Sequence, residues 1–224
     1  MAIGLTALVA TLVVGRRRGA IGSSSAALLG VLSIIGLATI ATWGGVTGSH
    51  VGTMALLMTV TVTAPILVAG RIRLHDLSSR SVNLLVVAVA ILQAGVVVAW
   101  HLPGVHQRLA TDALAAGVIV AVSAVVAVVW WLLLRDVRAE TVSARRRSLL
   151  IVGMPSGLIG LALIVAANPM MTHGASLGWL GPMADQRLGG VLMMVVDLLV
   201  LVPALRATLP RRSGRNASTL EAAP

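Results

Sequence analysis

The chain of 224 residues contains no Cys and no Lys, which excludes disulfides, thiolate metal sites, cysteine nucleophiles and Schiff-base chemistry. Any metal must be held by His, Met or carboxylate. Five histidines carry what remains: His50, His75, His101, His106 and His173. Met54 and Met58 follow His50 at four-residue intervals, which on a helix sets an imidazole above two thioethers on nearly one face, each about 6 Å deeper than the last. Ligands this soft suit Cu(I), and they lack the carboxylate cluster that Mg or Ca would need. The plainer alternative is that His50 ends an interfacial helix while Met54 and Met58 fill gaps in a bundle, since Met is chiefly a packing residue. Met170 and Met171 beside His173 admit the same two readings, as soft ligands or as part of a turn-rich loop over 168–185. There is no Gly-rich phosphate loop and no Ser-His-Asp constellation. Binding rather than bond-making is implied, and no enzyme activity is expected.

Those side chains must be positioned by helices in lipid. Hydrophobic residues make up 58% of the chain and charged residues 11%, with a mean hydropathy of +0.99. A soluble domain is roughly 45–50% apolar and about 25% charged, so a water-soluble globule is excluded. Predominantly apolar runs of about 20 residues, enough to cross roughly 30 Å of hydrocarbon, occur at 25–43, 50–70, 82–100, 112–134, 148–167 and 188–205. A seventh run at 2–15 covers only about 21 Å before Arg16, Arg17 and Arg18. Its charge follows the apolar stretch, unlike that of a secretory signal. The expected fold is an all-α integral membrane bundle of seven spans, or six if the first segment does not cross. Residues 1–207 form the helical domain, and 208–224 read as a disordered cytoplasmic tail.

Fifteen of the seventeen arginines fall on one side of this span order, leaving Arg108 and Arg187 on the other. The arginine-rich side is therefore cytoplasmic, with the N-terminus outside and the C-terminus inside. Topology and anionic headgroups explain the net charge of +10, and a nucleic-acid role is discarded. Trp43, Trp100 and Trp179 map to the outer boundary and Trp130 and Trp131 to the inner one, as an interfacial aromatic belt requires. Four histidines, His50, His101, His106 and His173, map to the outer side. Asp197 lies near midplane, as a proton or ion relay or as a neutral acid bonded to Asn83 or Gln93. Gly153 and Gly157 form a small-xxx-small pair suited to close helix packing.

Three stretches together resemble the CtaG family of cytochrome c oxidase assembly proteins. Asp185-Gln186-Arg187-Leu188-Gly189-Gly190-Val191-Leu192-Met193 is similar to that family's Asp-Gln-x-Leu-Gly-Gly-x-x-Met signature at the start of the last helix. Trp100-His101-Leu102-Pro103 resembles its Trp-His-x-Pro, followed by the Trp130-Trp131 pair. His50-Val51-Gly52-Thr53-Met54 stands where the family has His-x-x-x-His before an apolar helix with a Pro, here Pro65. Met54 replaces the second His, and 115–119 lacks the histidines usual after Trp-His-x-Pro.

The resemblance implies a plasma-membrane protein that carries Cu(I) on the extracytoplasmic side to a cytochrome c oxidase. His50, Met54, His101, Asp185 and Met193 are the expected metal-site residues, with Asp185 favouring a cation or orienting a histidine. Two other functions fit the same residues. One is a metal-free scaffold in a respiratory or other membrane complex, and the other is a small proton-coupled permease using Asp197.

Overall fold

A computed structural model of the chain describes residues 48–69, 77–135, 138–170 and 180–209. The expected spans at 2–15 and 25–43 and the tail beyond 209 lie outside these residues, as do His75, Met171, His173, Trp43 and Trp179.

All regular structure among the described residues is helical. Helix α1 (His50–Met58) runs through a π-helical turn (Thr59–Thr63) into α2 (Ala64–Ala69). Then come α3 (Ser79–Trp100), a short α4 (Pro103–Thr111), α5 (Ala113–Leu134), a 3₁₀ turn (Ala139–Thr141), α6 (Val142–Val165) and α7 (Pro182–Arg206). Four of these helices, α3, α5, α7 and α6 with its 3₁₀ lead-in, are long and apolar enough to cross a membrane, while His50–Ile66 is apolar but shorter. The expected runs from 82 onward each sit inside or beside one of these helices. Asp112 caps α5 by accepting from the Ala115 N–H at 3.0 Å, and Pro103 and Pro182 open α4 and α7, where a missing N–H costs nothing.

The elements close into a ring. The α1 half of the first rod packs on α7, α7 on α6, α6 on α3, α3 on α5, and α5 returns to the π turn and α2. The π turn has a chemical cause. Pro65 lacks the N–H that would reach the Thr61 carbonyl one turn earlier, so the backbone rewinds and the Ala64 N–H bonds to Thr59 instead. The freed Thr61 carbonyl accepts the Trp131 indole N–H at 3.1 Å. In lipid, where no water can serve, such a replacement is what makes an intramembrane Pro tolerable.

Trp131 is therefore structural, and the expected aromatic belt needs correcting. Trp100, Trp130 and Trp131 lie at the ends of their helices yet face the interior, and all three are buried. Trp100 donates to Ser123 Oγ at 2.9 Å and ties the end of α3 to α5. An indole in contact with a neighbouring helix that offers an acceptor gains both area and a hydrogen bond, which headgroups would only partly match. The expected glycine contact also moves. A Cβ on Gly157 would meet nothing within 4 Å, whereas one on Gly190 would lie 2.6 Å from the Gly160 carbonyl oxygen, so α6 and α7 approach most closely at Gly160 and Gly190.

Candidate functional site

Four elements meet at the end of the bundle away from Arg135, Arg138 and Arg145–Arg147: the start of α1, the end of α3, α4, and the start of α7. The first turn of α1 is held from two directions. Ser49 Oγ accepts from the Gly52 N–H at 2.9 Å. Asp185, reaching across from α7, accepts from the His50 N–H at 2.6 Å and the Val51 N–H at 3.2 Å. With Thr53 bonded to the Ser49 carbonyl at 3.0 Å, every amide donor of that first turn is satisfied, and the carboxylate sits at the positive end of the helix dipole.

The rest of the Asp185–Met193 segment forms the same joint. Gln186 donates to the Leu163 carbonyl at 3.1 Å and accepts from the Met170 N–H at 2.7 Å, pinning α6 and the chain just beyond it. Gly189 lies against the His50 ring: a Cβ there would fall 2.6 Å from His50 Cδ2 and 3.1 Å from Met54 Cγ. Gly190 makes the approach to α6. Four neighbouring residues of one motif thus lock α7 to α1 on one side and to α6 on the other, and this fixes His50.

His101 is set by the turn after Trp100. Its Nδ1 lies 2.7 Å from the Val97 carbonyl, and a carbonyl only accepts, so Nδ1 carries the proton. Burial holds this imidazole below its ordinary pKa, opposed by the bond to Val97. In the neutral ring Nε2 therefore presents its lone pair, and it does so to the Met54 sulfur at 3.2 Å. Two electron-pair donors facing one another gain nothing by themselves. With bonds of about 2.0 Å to nitrogen and about 2.3 Å to sulfur, both could hold a single ion at a bite angle of about 95°. A carbonyl fixing the second nitrogen is the usual way that a ligating imidazole is oriented.

His50 sits beside this pair. Its ring centroid is 6.3 Å from that of His101 and 5.7 Å from that of His106 on α4. Both nitrogens of the buried His50 ring lack a hydrogen-bond partner. Among the described residues no three His, Cys, Asp or Glu side chains are placed so that together they could hold a metal ion.

The structure brings together His50, Met54 and His101 of the expected residues. Asp185 touches His50 through its backbone amide, so it acts as a helix cap and not through an imidazole nitrogen. Met193 is fully buried one turn beyond Gly189, its Cβ facing the Gly160 position of α6. His106 was not among the expected site residues. Its signal was present in Pro103, a helix-starting residue, followed by Leu109 three positions after His106, which turns both side chains to one buried face.

Asp197 stands apart. It lines a cavity of about 260 Å³ between α6 and α7 whose other walls are Leu, Met, Val and Gly side chains. One of its oxygens is buried without a hydrogen-bond partner. Asn83 instead donates to the Glu140 carbonyl at 3.2 Å, and the Gln93 carbonyl oxygen is buried unbonded.

No curated protein and no solved structure is significantly similar to the chain. The family model described as cytochrome c oxidase caa3 assembly factor (Caa3_CtaG) matches residues 50–212, which span all four elements of the joint and well over half of the sequence. The chain thus belongs to the Caa3_CtaG family and is a helical membrane protein of cytochrome c oxidase assembly.

Proposed function

We propose that this assembly factor holds Cu(I) at the extracytoplasmic face of the plasma membrane and passes it to an incoming oxidase subunit. The observation that carries this reading is the His101 lone pair facing the Met54 sulfur at 3.2 Å, with the other ring nitrogen locked on a backbone carbonyl. His50 supplies a second imidazole. Nitrogen with thioether, and no carboxylate on the ion, is a donor set for monovalent copper. Sidedness follows from the arginines, which place the opposite end of the bundle in the cytoplasm. Copper leaves by exchanging one ligand at a time for better-placed nitrogen or sulfur ligands of the acceptor.

The test is copper content of the detergent-purified protein after anaerobic Cu(I) loading and gel filtration. The expected result is one bound ion in the wild type and none in a His50→Ala, His101→Ala double variant that still elutes as folded protein. Equal copper in both rejects the proposal. A second reading, a metal-free scaffold for the oxidase, draws on the lack of a closed His, Cys, Asp and Glu ligand set among the described residues. Co-purification with an oxidase subunit that is unchanged by the double substitution, with no copper in either sample, selects it.

A further inference from the structure

At the end of the bundle opposite the His50 joint, α3 and α6 border an open cavity of about 480 Å³. Its wall changes character along α3. Asn83 is polar, and from there Leu84, Val87 and Ile91 continue for about 12 Å toward midplane as an apolar groove, with Leu84 and Ile91 exposed. The α6 side supplies two charges, Glu140 at the rim and Arg147 seven residues further along. Glu140 is held in place: its Oε2 accepts from Ser79 Oγ at 2.6 Å and its backbone carbonyl accepts from the Asn83 amide at 3.2 Å. Arg147 is exposed and forms no ion pair with Glu140 or with any other carboxylate among the described residues.

A guanidinium on a lipid-facing apolar wall is unfavourable without a counter-charge. Arg147 starts about 10 Å deeper than Glu140, and its long stem brings the head back toward the rim, where a phosphate can meet the planar fork with two parallel hydrogen bonds. The apolar groove suits an acyl chain, and the unpaired carboxylate at the rim suits a cation. One molecule carries chain, phosphate and cation in that order along the membrane normal. We infer that the α3–α6 groove binds a phospholipid with an ethanolamine headgroup, its phosphate on Arg147, its ammonium on Glu140 and one acyl chain along Leu84, Val87 and Ile91. A glycerol headgroup brings no cation to Glu140, and a choline headgroup has no N–H to donate. Arg147 and the apolar wall therefore give retention, while Glu140 gives selectivity. The site lies at the opposite end from the His50 joint and does not depend on the copper function proposed above.

The experiment is native mass spectrometry of the full-length, delipidated protein in micelles, titrated with phosphatidylethanolamine, phosphatidylglycerol and phosphatidylcholine of identical chains. The wild type should retain one phosphatidylethanolamine about fivefold more tightly than either other lipid. Arg147→Ala should weaken its binding at least about tenfold. Glu140→Gln keeps an acceptor for Ser79 and should erase the preference among the three lipids. Ile91→Trp fills the groove and should weaken all three, whereas Leu161→Trp, on an exposed part of α6 outside the groove, should match the wild type. Glycerophosphoethanolamine, the same headgroup without chains, should not compete. Equal affinity of the wild type for the three lipids, tighter binding of phosphatidylglycerol, or phosphatidylethanolamine binding unchanged in Arg147→Ala and Ile91→Trp overturns the inference.

Discussion

Replacing Gly189 by Ala adds one methyl group at the tightest point of the joint, and the consequence can be worked out from distances. The new Cβ would lie 2.6 Å from His50 Cδ2, while ordinary contact begins at 3.4 Å, so the ring or helix α7 must yield by about 0.8 Å. Met54 Cγ at 3.1 Å blocks part of the escape, and Asp185 one turn earlier holds the backbone of His50 in place. Overpacking of this kind costs about 1–3 kcal/mol, which exceeds the gain of up to about 1 kcal/mol expected from Gly to Ala inside a helix. If the same strain is felt at the metal pocket, Cu(I) affinity falls about 5- to 150-fold. Gly157→Ala is the internal control: its Cβ meets nothing within 4 Å, so the same chemical change there should be neutral or stabilising. Thermal unfolding followed by tryptophan fluorescence and Cu(I) competition, both in the same detergent, would measure the pair. The reasoning is refuted if Gly189→Ala matches Gly157→Ala in both stability and affinity.

Asp185→Ala should destabilise the protein by about 1–2 kcal/mol by uncapping two amides of α1, and Asp185→Asn by less, as measured by denaturation in mixed micelles. Trp131→Phe should cost about 1–3 kcal/mol because the Thr61 carbonyl is left unbonded in lipid, and the cost should shrink when Pro65→Ala returns a backbone N–H to that carbonyl. A cost that is equal in both backgrounds would show that the hydrogen bond is not what Trp131 contributes. Burial keeps the His101 ring, beside Met54 and His50, below its ordinary pKa in the fold, opposed by its bond to the Val97 carbonyl. Its contribution to stability is therefore full above about pH 6.5, the unfolded value, and is lost as pH falls toward the lower folded value. For the same reason copper retention should persist below pH 6.5, and release already complete at pH 6.5 would contradict it.

Much of the site was legible as residue types and little of it as roles. His50, Met54 and His101 could be picked out because soft and borderline ligands are scarce in an apolar chain without Cys. Their meeting could not be read, because it depends on how α1 and α3 pack around α7. Asp185 is the clearest case. A carboxylate in the first turn of a helix suggests a cation or an imidazole partner, yet what it reaches are the amides of another helix 135 residues away. Gln186, Gly189 and Gly190 look like small or polar filler until the backbones they bring together are in view.

Composition and arginine asymmetry by themselves determined the solvent, the helical class and the membrane-crossing stretches from 82 onward, because lipid permits few ways to satisfy a backbone and the cost of charge in hydrocarbon is large. Those constraints act on each segment separately. Which face of each helix is buried was decided only by tertiary packing, since Leu, Val and Ala suit lipid and core alike and leave no amphipathic stripe to read. That is why three tryptophans expected at the headgroups are buried in the interior, two of them as hydrogen-bond donors, and why the imidazole on α4 emerged beside His50 only once the helices stood together.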